Sequence, residues 1–254
     1  MLFNGEELRV RRLEHLKHER LQFGQLRLSI VAVQEDAVTS SYVRIKNKIA
    51  SELDVTVEQV SRVADATGDG IILQLPLPAG VDQDRERNSI PVHTDVDVLS
   101  DAAYQAFVNG AFPPPPVARA LSSIMDAHHI PYQGAHVVVV GQGRLVGKPA
   151  AELFRQRGAT VIALEKGDDV VSHTRVADIV ILGAGDPHFL KPEMVKEGCV
   201  ILDAGTSESS GKVVGDADPA CATKARLMTP TPGGVGPLAV IEIFANLFEL
   251  VRRV

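Results

Sequence analysis

The chain has 254 residues, 45% of them hydrophobic and 23% charged, with 21 glycines, 15 prolines and a formal net charge of −6. That composition describes a globular chain of one large domain or two small ones and excludes disorder, collagen and coiled coil. Net negative charge without a basic run argues against nucleic acid as the main partner and points to a small molecule.

In chain order, Glu6 to Phe23 carries Leu8, Leu13, Leu16 and Leu21 at spacings that predict a surface helix. Its charges leave no room for an apolar signal region, so a cytoplasmic home is expected. Leu26 to Val33 reads as a buried strand, Ser40 to Leu53 as a helix and Glu58 to Thr67 as a further helix. Gly70 to Leu75 is a short apolar strand that Pro76 must end, since proline has no N–H for a ladder. The run Pro113 to Pro116 marks a stiff domain boundary, followed by a helix over Val117 to His128. Then come strand His136 to Val140, a glycine turn from Gly141 to Pro149, helix Ala150 to Gln156, and strands Thr160 to Leu164, Ile179 to Leu182 and Cys199 to Asp203. This alternation predicts an α/β fold with a Rossmann-type parallel sheet. A last helix covers Pro237 to Arg252. All apolar stretches are strand-sized, well short of the roughly 20 residues of a membrane span.

Candidate chemistry lies in five places. Gly141, Gln142, Gly143, Arg144 and Gly147 form a strand-to-helix turn whose backbone amides can approach a pyrophosphate. Glu165 ends the next strand at the offset where a carboxylate accepts from an adenosine ribose, which favours NAD, while Lys166 beside it can neutralise a 2′-phosphate, which favours NADP. Tyr42 and Lys46 stand one helical turn apart; that spacing more often places a surface lysine over an aromatic ring, and it also suits an acid/base pair. Asp95 and Asp97, near His93, read better as hydrogen-bonding carboxylates than as metal ligands, and Cys199 and Cys221 lack any zinc or CxxC spacing; no metal is expected. The loop Thr229 to Pro237 has glycines that let a ligand lie against bare backbone.

Taken in order, Ser41-Tyr42-Val43-Arg44-Ile45-Lys46-Asn47-Lys48, Gly70 through Gln74-Leu75-Pro76-Leu77-Pro78, Asp95-Val96-Asp97, Val139 through Pro149, Lys212 through Asp216, and Thr229 through Pro237 resemble the bifunctional methylenetetrahydrofolate dehydrogenase/cyclohydrolase family. The resemblance implies a two-domain α/β homodimer: residues 1–116, completed by 237–254, bind folate, residues 117–236 bind NAD(P), and the active-site cleft lies between the two. It implies oxidation of 5,10-methylenetetrahydrofolate to the methenyl form and hydrolysis to 10-formyltetrahydrofolate in one-carbon metabolism. Lys46 would be the acid/base, Tyr42 would orient the folate, Gln74 would hold the lysine and Asp97 would bind the pterin. Leu73, Pro232, Gly233 and Gly234 would complete the folate site. Gly141, Gln142, Gly143, Arg144, Gly147, Glu165, Lys166 and Thr206 would receive the dinucleotide, NADP or alternatively NAD. Departures from the family pattern include Val98 for a usual glycine, Pro114-Pro115 for Cys-Thr, Ala239 for Thr and Glu165-Lys166 for His-Ser. They leave two alternatives: a non-catalytic folate or dinucleotide binder, or a dehydrogenase of another small substrate.

Overall fold

The computed structural model describes residues 1–33, 37–209 and 212–253. Two compact units emerge, one formed by Val10–Pro116 with Val240–Val254 and the other by Met1–Arg9 with Val117–Ala239. The first nine residues therefore pack with the C-terminal unit rather than with the N-terminal one. Phe3 N–H donates to Met228 O (2.8 Å), and Leu2 bridges Met228 in parallel, which fixes the start of the chain there.

The N-terminal unit contains most of α1 (Gly5–Arg20), followed by β1 (Leu26–Val31), α2 (Ala37–Glu52), β2 (Val55–Val60), β3 (Gly70–Leu73), α3 (Gln83–Asn88) and α4 (Asp101–Val108). Its three strands form a parallel sheet in the order β2-β1-β3. Leu13 and Leu16 of α1 are buried, whereas Leu21 lies beyond the helix and is exposed. The segment Glu58 to Thr67 is not a helix. Val55 to Val60 is a strand paired in register with β1, Leu26 opposite Val55 through Val31 opposite Val60, and only Val63–Asp65 makes a short 3₁₀ turn. Val55, Val57 and Val60 favour extended backbone, and the open hydrogen-bonding edge of β1 decides the outcome. The core of this unit joins Leu13, Leu16, Leu28, Ile30, Ile49 and Leu53 with Phe244 and Phe248.

The C-terminal unit begins with α5 (Pro116–Ala127), where proline suits the first helical turn. There follow β4 (His136–Val140), α6 (Gly147–Gln156), β5 (Thr160–Leu164), α7 (Val170–Thr174), β6 (Ile179–Leu182), β7 (Val200–Asp203), a small antiparallel hairpin of β8 (Ser207–Ser209) and β9 (Lys212–Val214), then β10 (Leu227–Met228). The sheet is wholly parallel in the order β10-β7-β6-β4-β5. Both faces of its central strands are covered, which is why Val137–Val140 and Ile179–Leu182 read as unbroken apolar runs instead of alternating ones. The last helix, α8 (Val235–Val251), supplies residues to both units. Among the described residues, no helix is long and apolar enough to cross a membrane.

Candidate active site

In the N-terminal unit, α2 buries the face that carries Val43, Lys46 and Ala50, residues spaced three and four apart on one side of a helix. Lys46 thus enters the interior with only 8% of its surface exposed, while Arg44 and Lys48 on the other side stay in solvent. Its Nζ donates to Gln74 Oε1 at 2.6 Å, just past the end of β3. Gln74 Nε2 donates in turn to Leu75 O (2.8 Å), which fixes the amide with its oxygen toward the lysine. Burial lowers the Lys46 ammonium below the usual lysine range, and the charge of Asp97 works against that shift. The amine is thereby brought nearer to a pKa at which it can exchange protons.

Asp97 reaches this neighbourhood because Asp95 pairs in parallel with Ile71 of β3, so the chain 95–97 runs alongside the strand that ends at Gln74. Burial pushes the Asp97 carboxyl up to about 6; the Lys46 charge opposes this and Asp95 adds to it. Asp95 itself is fully buried, and its carboxylate accepts from the amides of Leu99 (3.0 Å) and Ser100 (2.8 Å), so it serves the turn. The turn passes through Val98 at φ 55, a left-handed conformation that glycine adopts more readily than a β-branched residue. In this chain a left-handed backbone costing about 1–2 kcal/mol is offset by a valine side chain that is 2% exposed. Asn246 of α8 braces the same segment, its Nδ2 donating to Val96 O (2.9 Å) and Pro114 O (3.0 Å). Asn246 does not stand out in the sequence, whereas Asp95, read there as a hydrogen-bonding carboxylate, spends its bonds on the turn. Its acceptor role is local, since the amides lie four and five residues on, within reach of a short side chain.

Lys46, Gln74 and Asp97 are therefore brought together. Tyr42 lies on α2 one turn before Lys46, but its side chain is outside the described residues. Leu73 is 2% exposed and packs with Val31, Ile71, Leu77 and Leu99, so its side chain belongs to the core. Pro232 and Gly233 are exposed and Gly234 is buried, all in the C-terminal unit at the entry to α8.

The glycine turn lies between β4 and α6 of the C-terminal unit. The sheet order makes β4 and β6 neighbours from which the chain runs in opposite directions, so the C-terminal ends of these strands are the switch point where α/β sheets bind ligands. Gly141 has φ 88, and a Cβ there would overlap the carbonyl of Gly183; a Cβ on Gly147 would overlap Gly141 O. Gly143 is exposed with open space where a Cβ would stand, so its backbone is bare to a ligand. The turn and the N-terminus of α6 form a cradle suited to a dinucleotide pyrophosphate. Gln142 turns back on this loop, its Nε2 donating to Val139 O (3.3 Å) and Gly141 O (3.2 Å), whereas Glu165 and Lys166 after β5 and Thr206 after β7 are exposed beyond the C-terminal ends of the strands. Arg144 is half-buried in the turn.

Comparison with known proteins agrees with this architecture. Residues 115–254 match the family model of the tetrahydrofolate dehydrogenase/cyclohydrolase NAD(P)-binding domain. The bifunctional protein FolD of Malacoplasma penetrans is 36% identical over 89% of this chain and 87% of its own length, and that of Methanoculleus marisnigri is 35% identical over 99% and 96%. The crystal structure of the bifunctional FolD methylenetetrahydrofolate dehydrogenase/cyclohydrolase from Campylobacter jejuni, 28% identical, superposes with a TM-score of 0.93 and covers 100% of this chain and 99% of that one. With a lysine held by a glutamine in one unit, a glycine turn at a parallel-sheet switch point in the other, and relatives that align over nearly their full length, the chain belongs to the tetrahydrofolate dehydrogenase/cyclohydrolase family.

Proposed function

We propose that this protein oxidises 5,10-methylenetetrahydrofolate to 5,10-methenyltetrahydrofolate with NAD(P)⁺ and hydrolyses that product to 10-formyltetrahydrofolate, in one-carbon metabolism. The observation that carries the reading is the buried Lys46 ammonium on Gln74, lowered from its ordinary pKa and electrostatically coupled to Asp97. In the hydrolysis, Lys46 in its neutral amine form accepts a proton from the water that adds to the methenyl carbon, and the ammonium so formed returns it to the ring nitrogen as the ring opens. Gln74 holds the amine in a single rotamer, so the proton moves over a fixed path. Asp97 accepts from the amino-pyrimidine N–H groups of the pterin, and Tyr42 orients the folate. When bound, the dinucleotide supplies the hydride acceptor. Gly141, Gly143, Gly147 and Arg144 would hold its phosphates, with Glu165, Lys166 and Thr206 around its outer parts.

NADP is the cofactor this reading favours, with Lys166 as the cation for a 2′-phosphate; NAD is the alternative that Glu165 supports. A homodimer is part of the same reading. It is supported by β2, which is the end strand of its sheet and borders a groove of about 360 Å³ lined by Asn47, Ala50, Ser51, Val55, Val57 and Gln59. A cytoplasmic site of action is supported by two free, buried cysteines, whose thiols burial pushes up to about 11, so that both stay protonated and unreactive at neutral pH.

The test is a spectrophotometric assay of methenyl absorbance with methylenetetrahydrofolate and each nicotinamide dinucleotide in turn, on wild type and Lys46→Met. Wild type should turn over both steps. Lys46→Met should fold normally by circular dichroism and lose cyclohydrolase activity by roughly 100-fold or more, the usual weight of a general acid/base. Undiminished hydrolysis in that variant would remove Lys46 from the mechanism, and dinucleotide binding without any turnover by wild type would select the non-catalytic binder.

A further inference from the structure

The loop that follows β6 faces the glycine turn across the switch point. A Cβ on Gly141 would lie 2.5 Å from Gly183 O and 2.8 Å from Ala184 Cα, and one on Gly183 would lie 2.5 Å from Val146 Cγ1. The two loops are thus in backbone contact, and a shift in one displaces the other. Beyond Gly183, residues Ala184, Gly185 and Asp186 are exposed, and Gly185 takes φ 69 with open space beside it. An exposed three-residue loop of this kind ordinarily gives its amides to water.

Here the three amides turn inward onto one carboxylate. Ala184 N–H (2.7 Å) and Gly185 N–H (3.1 Å) donate to Asp216 Oδ2, and Asp186 N–H donates to Asp216 Oδ1 (2.9 Å). Asp216 is fully buried, delivered from the strand β9 by Gly215. Its own placement is enforced from two sides: a Cβ on Gly205 would overlap its carboxyl group, and one on Gly215 would overlap the carboxylate of Asp203. Asp203, at the end of β7, accepts from Gly205 N–H (2.9 Å) and Ala217 N–H (2.9 Å), so it ties the loop after β7 to the residue following Asp216. Burial raises both carboxyls, and the amide donors oppose that rise by favouring the ionised forms. A buried carboxylate that accepts several backbone N–H bonds locks the segments it joins, because releasing it strands three donors and one charge.

We propose that Asp216 is a positioning residue for the dinucleotide site: its carboxylate holds the loop 184–186 in the shape that forms the second wall of the cradle opposite Gly141–Gly147. The proposal rests on the dinucleotide-binding reading above. Asp216 touches no ligand; it acts through the loop. An asparagine there keeps the size but replaces one acceptor by a donor aimed at an N–H, so at least one of the three bonds fails.

The test combines three measurements on the full chain. Amide hydrogen exchange of wild type should find residues 184–186 protected despite their exposure; rapid exchange there would overturn the proposal whatever the variants do. In Asp216→Asn, calorimetric titration with NADP and with NAD should give a Kd raised about tenfold or more, with the dehydrogenase KM for dinucleotide rising in step. The folate KM and the cyclohydrolase rate, which need no dinucleotide, should stay within twofold. Gly205→Ala provides a second route, since its new methyl displaces the Asp216 carboxylate without removing any charge, and it should weaken dinucleotide binding likewise. Folded variants that bind dinucleotide as wild type does sink this proposal alone, whereas wild type that binds neither dinucleotide sinks the functional reading along with it.

Discussion

Asp97 couples the chemistry of the site to the stability of the protein. Its carboxyl titrates near 6 when folded, above the ordinary value of 3.8, so the folded state holds a proton that the unfolded state has already released across that interval. Stability contributed by the protonated group is full below about pH 4 and is lost as pH rises through about 6. Ionised Asp97 therefore burdens the fold at pH 7 by on the order of 3 kcal/mol, a cost consistent with a carboxylate kept for a ligand. Asp97→Asn should stabilise the protein at pH 7 and not at pH 4 in urea unfolding, while raising the KM for folate; equal effects at the two pH values would show that the carboxyl carries no such load. Asp203, also raised to about 6, slopes the same way and is common to both proteins in the comparison. The sequence pattern singles out Asp97 by resemblance, but it cannot give the burial that shifts the group, because that comes from residues far along the chain, such as Asn246 bracing the segment from α8.

At the scale of elements, the strand-turn-helix unit β4-α6 depends on glycine at two of its positions for different reasons. Gly141 needs its positive φ, whereas Gly147 needs the absence of a side chain because the first turn of α6 sits on Gly141 O. Gly147→Ala should therefore force the helix N-terminus off the turn. It should abolish dinucleotide binding in a calorimetric titration while β3, Lys46 and Gln74, in the other unit, continue to support hydrolysis of methenyltetrahydrofolate. Retained dinucleotide affinity would mean that the turn can open without harm. The helix α4 illustrates a different point. Ser100 caps it by accepting from Ala103 N–H (3.2 Å), a start signal present in the sequence, but eight residues are too few for the apolar spacing to declare a helix by itself. The strand β2 goes unread because Glu58 and Gln59 interrupt its valines; an edge strand has one hydrogen-bonding edge free and tolerates polar residues that a central strand would not.

For the whole molecule, the open edge of β2 has a consequence for assembly. A six-residue parallel-sheet edge with Val57 partly buried beside a groove is an invitation to pair, which soluble proteins avoid by charge or cover. Val57→Lys should lower the sedimentation coefficient from that of a dimer to that of a monomer; a wild type that already sediments as a monomer would dispose of the homodimer.

The parallel character of the C-terminal sheet and its glycine turn were legible in the amino-acid order, because apolar runs and turn residues are local properties, whereas Lys46, Gln74 and Asp97 were singled out as a set by the resemblance and not by their spacing. The packing of Met1–Arg9 with the far end of the chain, the strand identity of residues 55–60, the enclosure that lowers Lys46 and raises Asp97, and the carboxylate lock at Asp216 were decided only in the folded molecule. Each of these depends on partners distant in sequence, and burial and hydrogen bonding are properties of a neighbourhood that local pattern does not specify.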